Sequence, residues 1–83
     1  MYQVAAWSFR RWERIDDARG QRRFYQVEAR QDIFGTWIVV KAWGKIGQRA
    51  SRTVTVEASS REDALAIIGE VSERRKKHGY LAR

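Results

Sequence analysis

Apolar and polar positions change rhythm several times along this chain, and each change marks an element. From Trp7 to Ile15 the alternation is imperfect, because Trp7 and Phe9 share a parity that Trp12 breaks. This pattern predicts a strand with a β-bulge near Arg10-Arg11. Asp16-Asp17-Ala18-Arg19-Gly20 has the composition of a turn. From Arg23 to Gln31, Tyr25, Val27 and Ala29 alternate with Gln26, Glu28 and Arg30, the period of a strand with one wet face. Asp32-Ile33-Phe34-Gly35 predicts a hairpin connection in which Gly35 supplies a positive φ. Thr36 to Trp43 is apolar on both parities, with Trp37, Val39 and Trp43 on one and Ile38, Val40 and Ala42 on the other. Such a strand is expected to be central and covered. Gly44-Lys45-Ile46-Gly47-Gln48 follows as a tight loop. In Arg52 to Glu57, Val54 and Val56 point one way and Thr53 and Thr55 the other.

The period then changes from two to that of a helix. Ser59 with Glu62, or Ser60 with Asp63, fits a capping box, so a helix begins here and runs to about His78. Ala64, Leu65, Ile68 and Val71 form its expected apolar stripe. Arg74-Arg75-Lys76-Lys77 sit where the helix dipole favours cations, and Gly79 suits the residue that ends the helix. The predicted fold is α+β: an antiparallel sheet of about four strands with one C-terminal helix packed on one face. Residues 1–83 are expected to form a single domain.

Composition narrows the function. A chain of 83 residues buries roughly 60–65% of the surface it exposes when unfolded, enough for one small core. It has no Cys, one His and no Pro. That excludes a disulfide framework, a thiolate nucleophile, a cluster of imidazole or thiolate zinc ligands, and proline-rich ligand segments. Met1 to Phe9 is mildly apolar but lacks the basic start of a signal peptide. No run approaches the ~20 apolar residues of a membrane span. The expectation is a soluble, cytoplasmic or nucleoid-associated module with no cofactor, no metal, no membrane partner and no small-molecule substrate.

Charge then points to a partner. Lys and Arg number 17 against 10 Asp and Glu, a net charge of +7. Ile33 to Val56 contains no acid but holds Lys41, Lys45, Arg49 and Arg52. Ala18 to Val27 is again free of acids and holds Arg19, Arg22 and Arg23. With the cations at the helix end, these windows form a basic patch edged by aromatics if they converge, which is the footprint of a polyanion binder. Each cluster taken singly is also what an ordinary solvated surface carries.

Trp43-Gly44-Lys45-Ile46-Gly47 is the most specific local feature. Glycines let backbone approach a ligand, Lys supplies a charge for phosphate, and Trp offers a stacking face. The same residues equally suit a core Trp followed by a glycine turn. A phosphate-binding loop of the nucleotide-hydrolase type is excluded, because Ile46 stands where Ser or Thr is required. The Gly-x-x-Gly spacing of a KH loop joins two helices, whereas strands flank it here. Asp16-Asp17 and Glu62-Asp63 are adjacent pairs that do not converge on one atom, and His78 lies among cations. No nucleophile and base pair up, so an enzyme is not expected.

At Trp43-Gly44-Lys45 the chain resembles a WGR domain, the module named for Trp-Gly-Arg. Arg14-Ile15-Asp16, Ala18-Arg19 and Arg23-Phe24-Tyr25 resemble the opening of small stand-alone bacterial WGR proteins. Phe34-Gly35-x-Trp37 and Trp43-Gly44-x-Ile46-Gly47 resemble their centre. Ser60-Arg61-Glu62-Asp63-Ala64-Leu65 and Lys76-Lys77-His78-Gly79-Tyr80 resemble their capped helix and its close. The family fold is an antiparallel sheet with a packed helix. Its best-known members are DNA-break-activated poly(ADP-ribose) polymerases, in which the module contacts a broken strand end and relays that contact. The resemblance implies that Trp43 packs on a terminal sugar or base and that Lys45 meets backbone phosphate. It carries no transferase activity to these 83 residues. Lys45 replaces the family Arg, keeping the charge and losing the planar fork. Asp17 and Ala50 stand where the bacterial proteins often have Pro and Gly.

The resulting expectation is sequence-independent DNA binding with a preference for strand ends or nicks. The residues expected to carry it are Trp43, Gly44, Lys45, Gly47, Lys41, Arg49, Arg52, Arg23 and Tyr80. The alternatives are a protein-interaction module that relays signals to a partner protein without binding nucleic acid directly, and an RNA binder.

Overall fold

A computed structural model describes residues 8–83 of the chain. Trp7, expected to open the first strand, lies outside the described residues. Strands β1 (Ser8–Asp16), β2 (Gln21–Gln31), β3 (Trp37–Lys45) and β4 (Arg52–Glu57) precede the helix α1 (Arg61–Lys77), and β5 (Leu81–Ala82) follows it. They form one five-stranded sheet in the order β4-β3-β2-β1-β5, antiparallel throughout.

The register settles the faces. β1 pairs with β2 without interruption from Ser8↔Ala29 to Asp16↔Gln21, so the expected bulge at Arg10-Arg11 is absent. The alternation is broken for a different reason. Trp12 is buried at 3% exposure beneath the helix, whereas Phe9 points to the opposite face and is 53% exposed. On the helix side Val27, Ala29 and Val39 are fully buried and cluster with Ala64, Ile68 and Val71 of α1. Leu65, expected in this stripe, is largely exposed, and Ile67 packs against the core instead.

The strand β3 is internal as expected, but a helix covers only one of its faces. Among the described residues no element lies over the other face. There Ile38 and Ala42 are shielded by neighbouring side chains, and Phe24 lies beneath the Arg11 guanidinium, 4.4 Å from the ring centre. β5 was not anticipated, since two residues are too few to show a period. It pairs Ala82 with Trp12 and Leu81 with Glu13.

The connections follow local chemistry. Asp32 Oδ1 accepts from the N–H groups of Phe34 (2.9 Å) and Thr36 (3.0 Å), tying the β2–β3 hairpin. Ser60 is the N-cap, its Oγ accepting from the Asp63 N–H at 3.0 Å, while Asp63 accepts from the Ser59 N–H at 2.8 Å. The helix ends in a Schellman turn: Gly79 N–H donates to Lys76 O and Tyr80 N–H to Arg75 O, with Gly79 at φ 80°. That turn sends Tyr80 back toward the sheet.

Candidate functional site

β1 and β3 both run toward the end of the sheet where the β1–β2 turn, the β3–β4 loop and the C-terminus of α1 lie. The paired positions Trp12, Tyr25, Trp43 and Arg52 form one row across four strands on the helix side. Tyr25 and Trp43 stack, with ring centres 5.3 Å apart and planes within 1°, and Trp12 is tilted against Tyr25 at 6.5 Å. Trp43 is half-buried and stands outside the core cluster. Of the two readings open from sequence, it is therefore a ring at the margin of the core, braced on one side by Tyr25.

Arg75 holds this row from above. Its guanidinium lies 4.3 Å from the Tyr25 ring centre and 5.1 Å from that of Tyr80, a cation held between two π faces. Burial pushes the Tyr25 phenol above its ordinary pKa, and the charges of Arg75 and Arg74 oppose that rise. The helical spacing 64, 68, 71, 75 continues the buried stripe, which is why Arg75 among four consecutive cations turns inward.

A cleft of about 260 Å³ opens beside Trp43, lined by Arg23, Phe24, Trp43, Gly44, Lys45, Gln48, Arg49, Ser51 and Tyr80. Three of these are cations and none is an acid. The sequence-selected residues Trp43, Gly44, Lys45, Arg49, Arg23 and Tyr80 thus come together. Three others do not line the cleft. Lys41 lies under the helix in a separate hollow with Glu70 and Arg74. Arg52 sits beside Trp43 at the start of the edge strand. Gly47 is at the apex of the loop at φ 84°.

Gly44 is part of β3, paired with Phe24, and not of the loop as expected. A Cβ there would meet backbone atoms of the returning chain: Ser51 N at 2.9 Å, Arg49 O at 3.2 Å and Ala50 Cα at 3.3 Å. The returning segment is pinned by Ser51, whose N–H and Oγ–H donate to the Trp43 carbonyl at 2.9 and 3.1 Å. The glycine after Trp43 therefore lets the 49–51 segment close against the strand and form the cleft wall. Sequence reasoning missed Tyr25, Phe24, Gln48 and Ser51 as neighbours of the site. Their proximity depends on register and loop path, for which single residues carry no signal. Among the described residues no group of His, Cys, Asp or Glu could hold a metal ion, and no helix is long and apolar enough to cross a membrane.

A five-stranded antiparallel sheet backed by one helix, with an aromatic row ending in an acid-free cationic cleft, defines a small α+β module. The chain belongs to the WGR domain family, whose model matches residues 7–83. It is also similar to Uncharacterized protein y4dW of Sinorhizobium fredii (strain NBRC 101917 / NGR234), 28% identical over 71 residues, which cover 86% of this chain and 34% of that protein. The chain thus spans about a third of the length of the curated relative it matches. No solved structure matches it.

Proposed function

We propose that residues 1–83 act as one DNA-binding module that reads no base sequence and prefers strand ends or nicks. The observation that carries this reading is the cleft in which Trp43 and Tyr80 stand among Arg23, Lys45 and Arg49 with no carboxylate in the lining. Aromatic faces take bases or sugars and cations take phosphates, and neither distinguishes one base from another. A base inside a continuous duplex offers no free face to Trp43, whereas a terminus or nick does. Family membership is consistent with nucleic-acid binding.

Titration with blunt duplex, nicked duplex, single-stranded DNA and duplex RNA at two salt concentrations tests the reading. Nicked DNA should bind tightest, with a log–log salt slope of roughly −0.7 to −0.9 per phosphate neutralised. A flat salt dependence, or no binding at low salt, removes it. A second reading, a protein-interaction module, is favoured by the β2–β3 hairpin. Its tip exposes Ile33 and Phe34 at 69% and 85%, at the end of the sheet away from the cleft. In that case the wild-type protein would not bind DNA, and an Ile33→Ser, Phe34→Ser protein would lose a partner protein.

A further inference from the structure

A second hollow, of about 610 Å³, adjoins the cleft. It is lined by Arg14, Arg19, Gln21, Arg23, Tyr25, Trp43, Arg75, His78 and Tyr80, and again no acid contributes. Arg23, Trp43 and Tyr80 belong to both cavities, so they form the wall between them. The molecule therefore presents an aromatic wall with a cationic hollow on each side.

Of the cations that line the second hollow, only Arg19 is in an ion pair among the described residues. Arg14, Arg23 and Lys45 occupy one cross-strand row, Arg14 opposite Arg23 and Arg23 opposite Lys45. Like charges directly opposite one another destabilise a sheet. The ion pairs of Arg11, Arg19, Arg30 and Arg83 use no member of this row. The nearest acid on the same face, Asp16, is engaged by Arg19: it accepts from the Arg19 N–H at 3.3 Å and lies 3.8 Å from Nε. Arg14 passes 3.9 Å from the position a Cβ of Gly79 would take, which sets it at the C-terminus of α1. Four cations already lie in the helix's own last turn, so Arg14 adds to an end of the molecule that is cationic without it. Arg75 adds a further charge, and its Nε is buried without a hydrogen-bond partner.

We infer that Arg14, Arg23 and Arg75 form a second phosphate subsite, so that the module takes a nucleotide carrying phosphate on both sides of its sugar, one phosphate at Lys45 and the next at Arg14. The backbones of Lys45 and Arg14 lie two strand spacings apart, about 10 Å, with Arg23 between them in the row and Trp43 and Tyr80 on the wall shared by the two cavities for the nucleoside. The inference rests on the nucleic-acid reading and sharpens it: the preferred ligand is an unstacked nucleotide within a nicked, gapped or single strand, in preference to a blunt terminus with one phosphate.

The probes are thymidine bisphosphate, phosphorylated on both sugar hydroxyls, and the two thymidine monophosphates, titrated by amide chemical-shift changes. The wild-type protein should bind the bisphosphate about tenfold tighter than either monophosphate, the effect of one added charge-assisted contact. Only phosphates reaching the second hollow should move the Gln21 and His78 amides. Arg14→Gln should abolish the tenfold advantage without lowering the affinity for the monophosphate held at Lys45, and Arg14→Lys should restore most of it. Equal binding of bisphosphate and monophosphates by the wild type overturns the subsite, as does an advantage that survives Arg14→Gln. Nicked duplex titrated with the same proteins separates the two claims. Duplex binding without a bisphosphate advantage removes the subsite and leaves the DNA reading standing. A bisphosphate advantage without duplex binding does the reverse.

Discussion

The two glycines that flank Lys45 are required for different reasons, and substitution separates them. Gly44 has no positive φ, so its backbone suits any residue. What it cannot accept is a Cβ 2.9 Å from Ser51 N and 3.2 Å from Arg49 O. Both obstacles are backbone, so the 49–51 segment must move as a unit. Overpacking of this kind costs roughly 1–3 kcal/mol. Loss of the Ser51 N–H to Trp43 carbonyl bond, 2.9 Å long, adds about 1 kcal/mol. Gly44→Ala should therefore destabilise the domain by roughly 2–4 kcal/mol, and Gly44→Asn by more, since its side chain is larger. Gly47 has open space around it but sits at φ 84°. There an ordinary L residue costs about 1–2 kcal/mol, while Asn enters the left-handed region more readily. Gly47→Ala should thus be mildly destabilising and Gly47→Asn close to wild type. Urea midpoints at constant m-value, followed by tryptophan fluorescence, give both comparisons. If Gly44→Asn is tolerated as well as Gly47→Asn, the close approach at Gly44 is not what holds the cleft wall.

Val39 is fully buried, so Val39→Ala should lower stability by roughly 1–3 kcal/mol, and an unchanged denaturation midpoint would place the core elsewhere. Trp43→Ala should remain folded, lose about 1–3 kcal/mol on nicked DNA and lose little on a closed circle; equal losses on both DNAs would rule out end recognition by this ring. Lys45→Ala should weaken both substrates alike, and Lys45→Arg should preserve or improve binding by restoring a planar fork. Tyr25 has its pKa raised above 10.0, so the folded state holds its proton longer than the unfolded chain does. The stability this lends is complete below about pH 10 and is lost as pH rises through the folded value. Spectrophotometric titration of tyrosinate in the wild type and Tyr25→Phe checks the sign, and a Tyr25 that ionises below 10 would contradict it.

The elements of this chain follow from neighbouring residues, because hydrophobic period and cap chemistry act over a few positions. Alternation at Tyr25, Val27 and Ala29 placed β2, and the capping pattern of Ser59 with Glu62 or Ser60 with Asp63 placed the start of α1 to within one residue, the structure choosing Ser60. Gly79 marked the helix end through its left-handed backbone, and Trp43-Gly44-Lys45 pointed to the cleft. What lies opposite what was decided elsewhere. The poor alternation of β1 suggests a bulge, and only its pairing with β2 shows instead an unbroken strand with Phe9 on the open face. Leu65 and Ile67 both satisfy a helical stripe until the helix is rotated onto the sheet. Gly44 looks like a loop glycine until the 49–51 segment returns against it. Tyr25, Trp43, Tyr80 and Arg75 come from β2, β3, the post-helix turn and α1, and their stacking depends on strand register and helix docking together. Local sequence sets the dihedral preferences of each segment. The cleft and its cationic neighbour arise from long-range burial, which fixes the relative placement of segments that share no local signal.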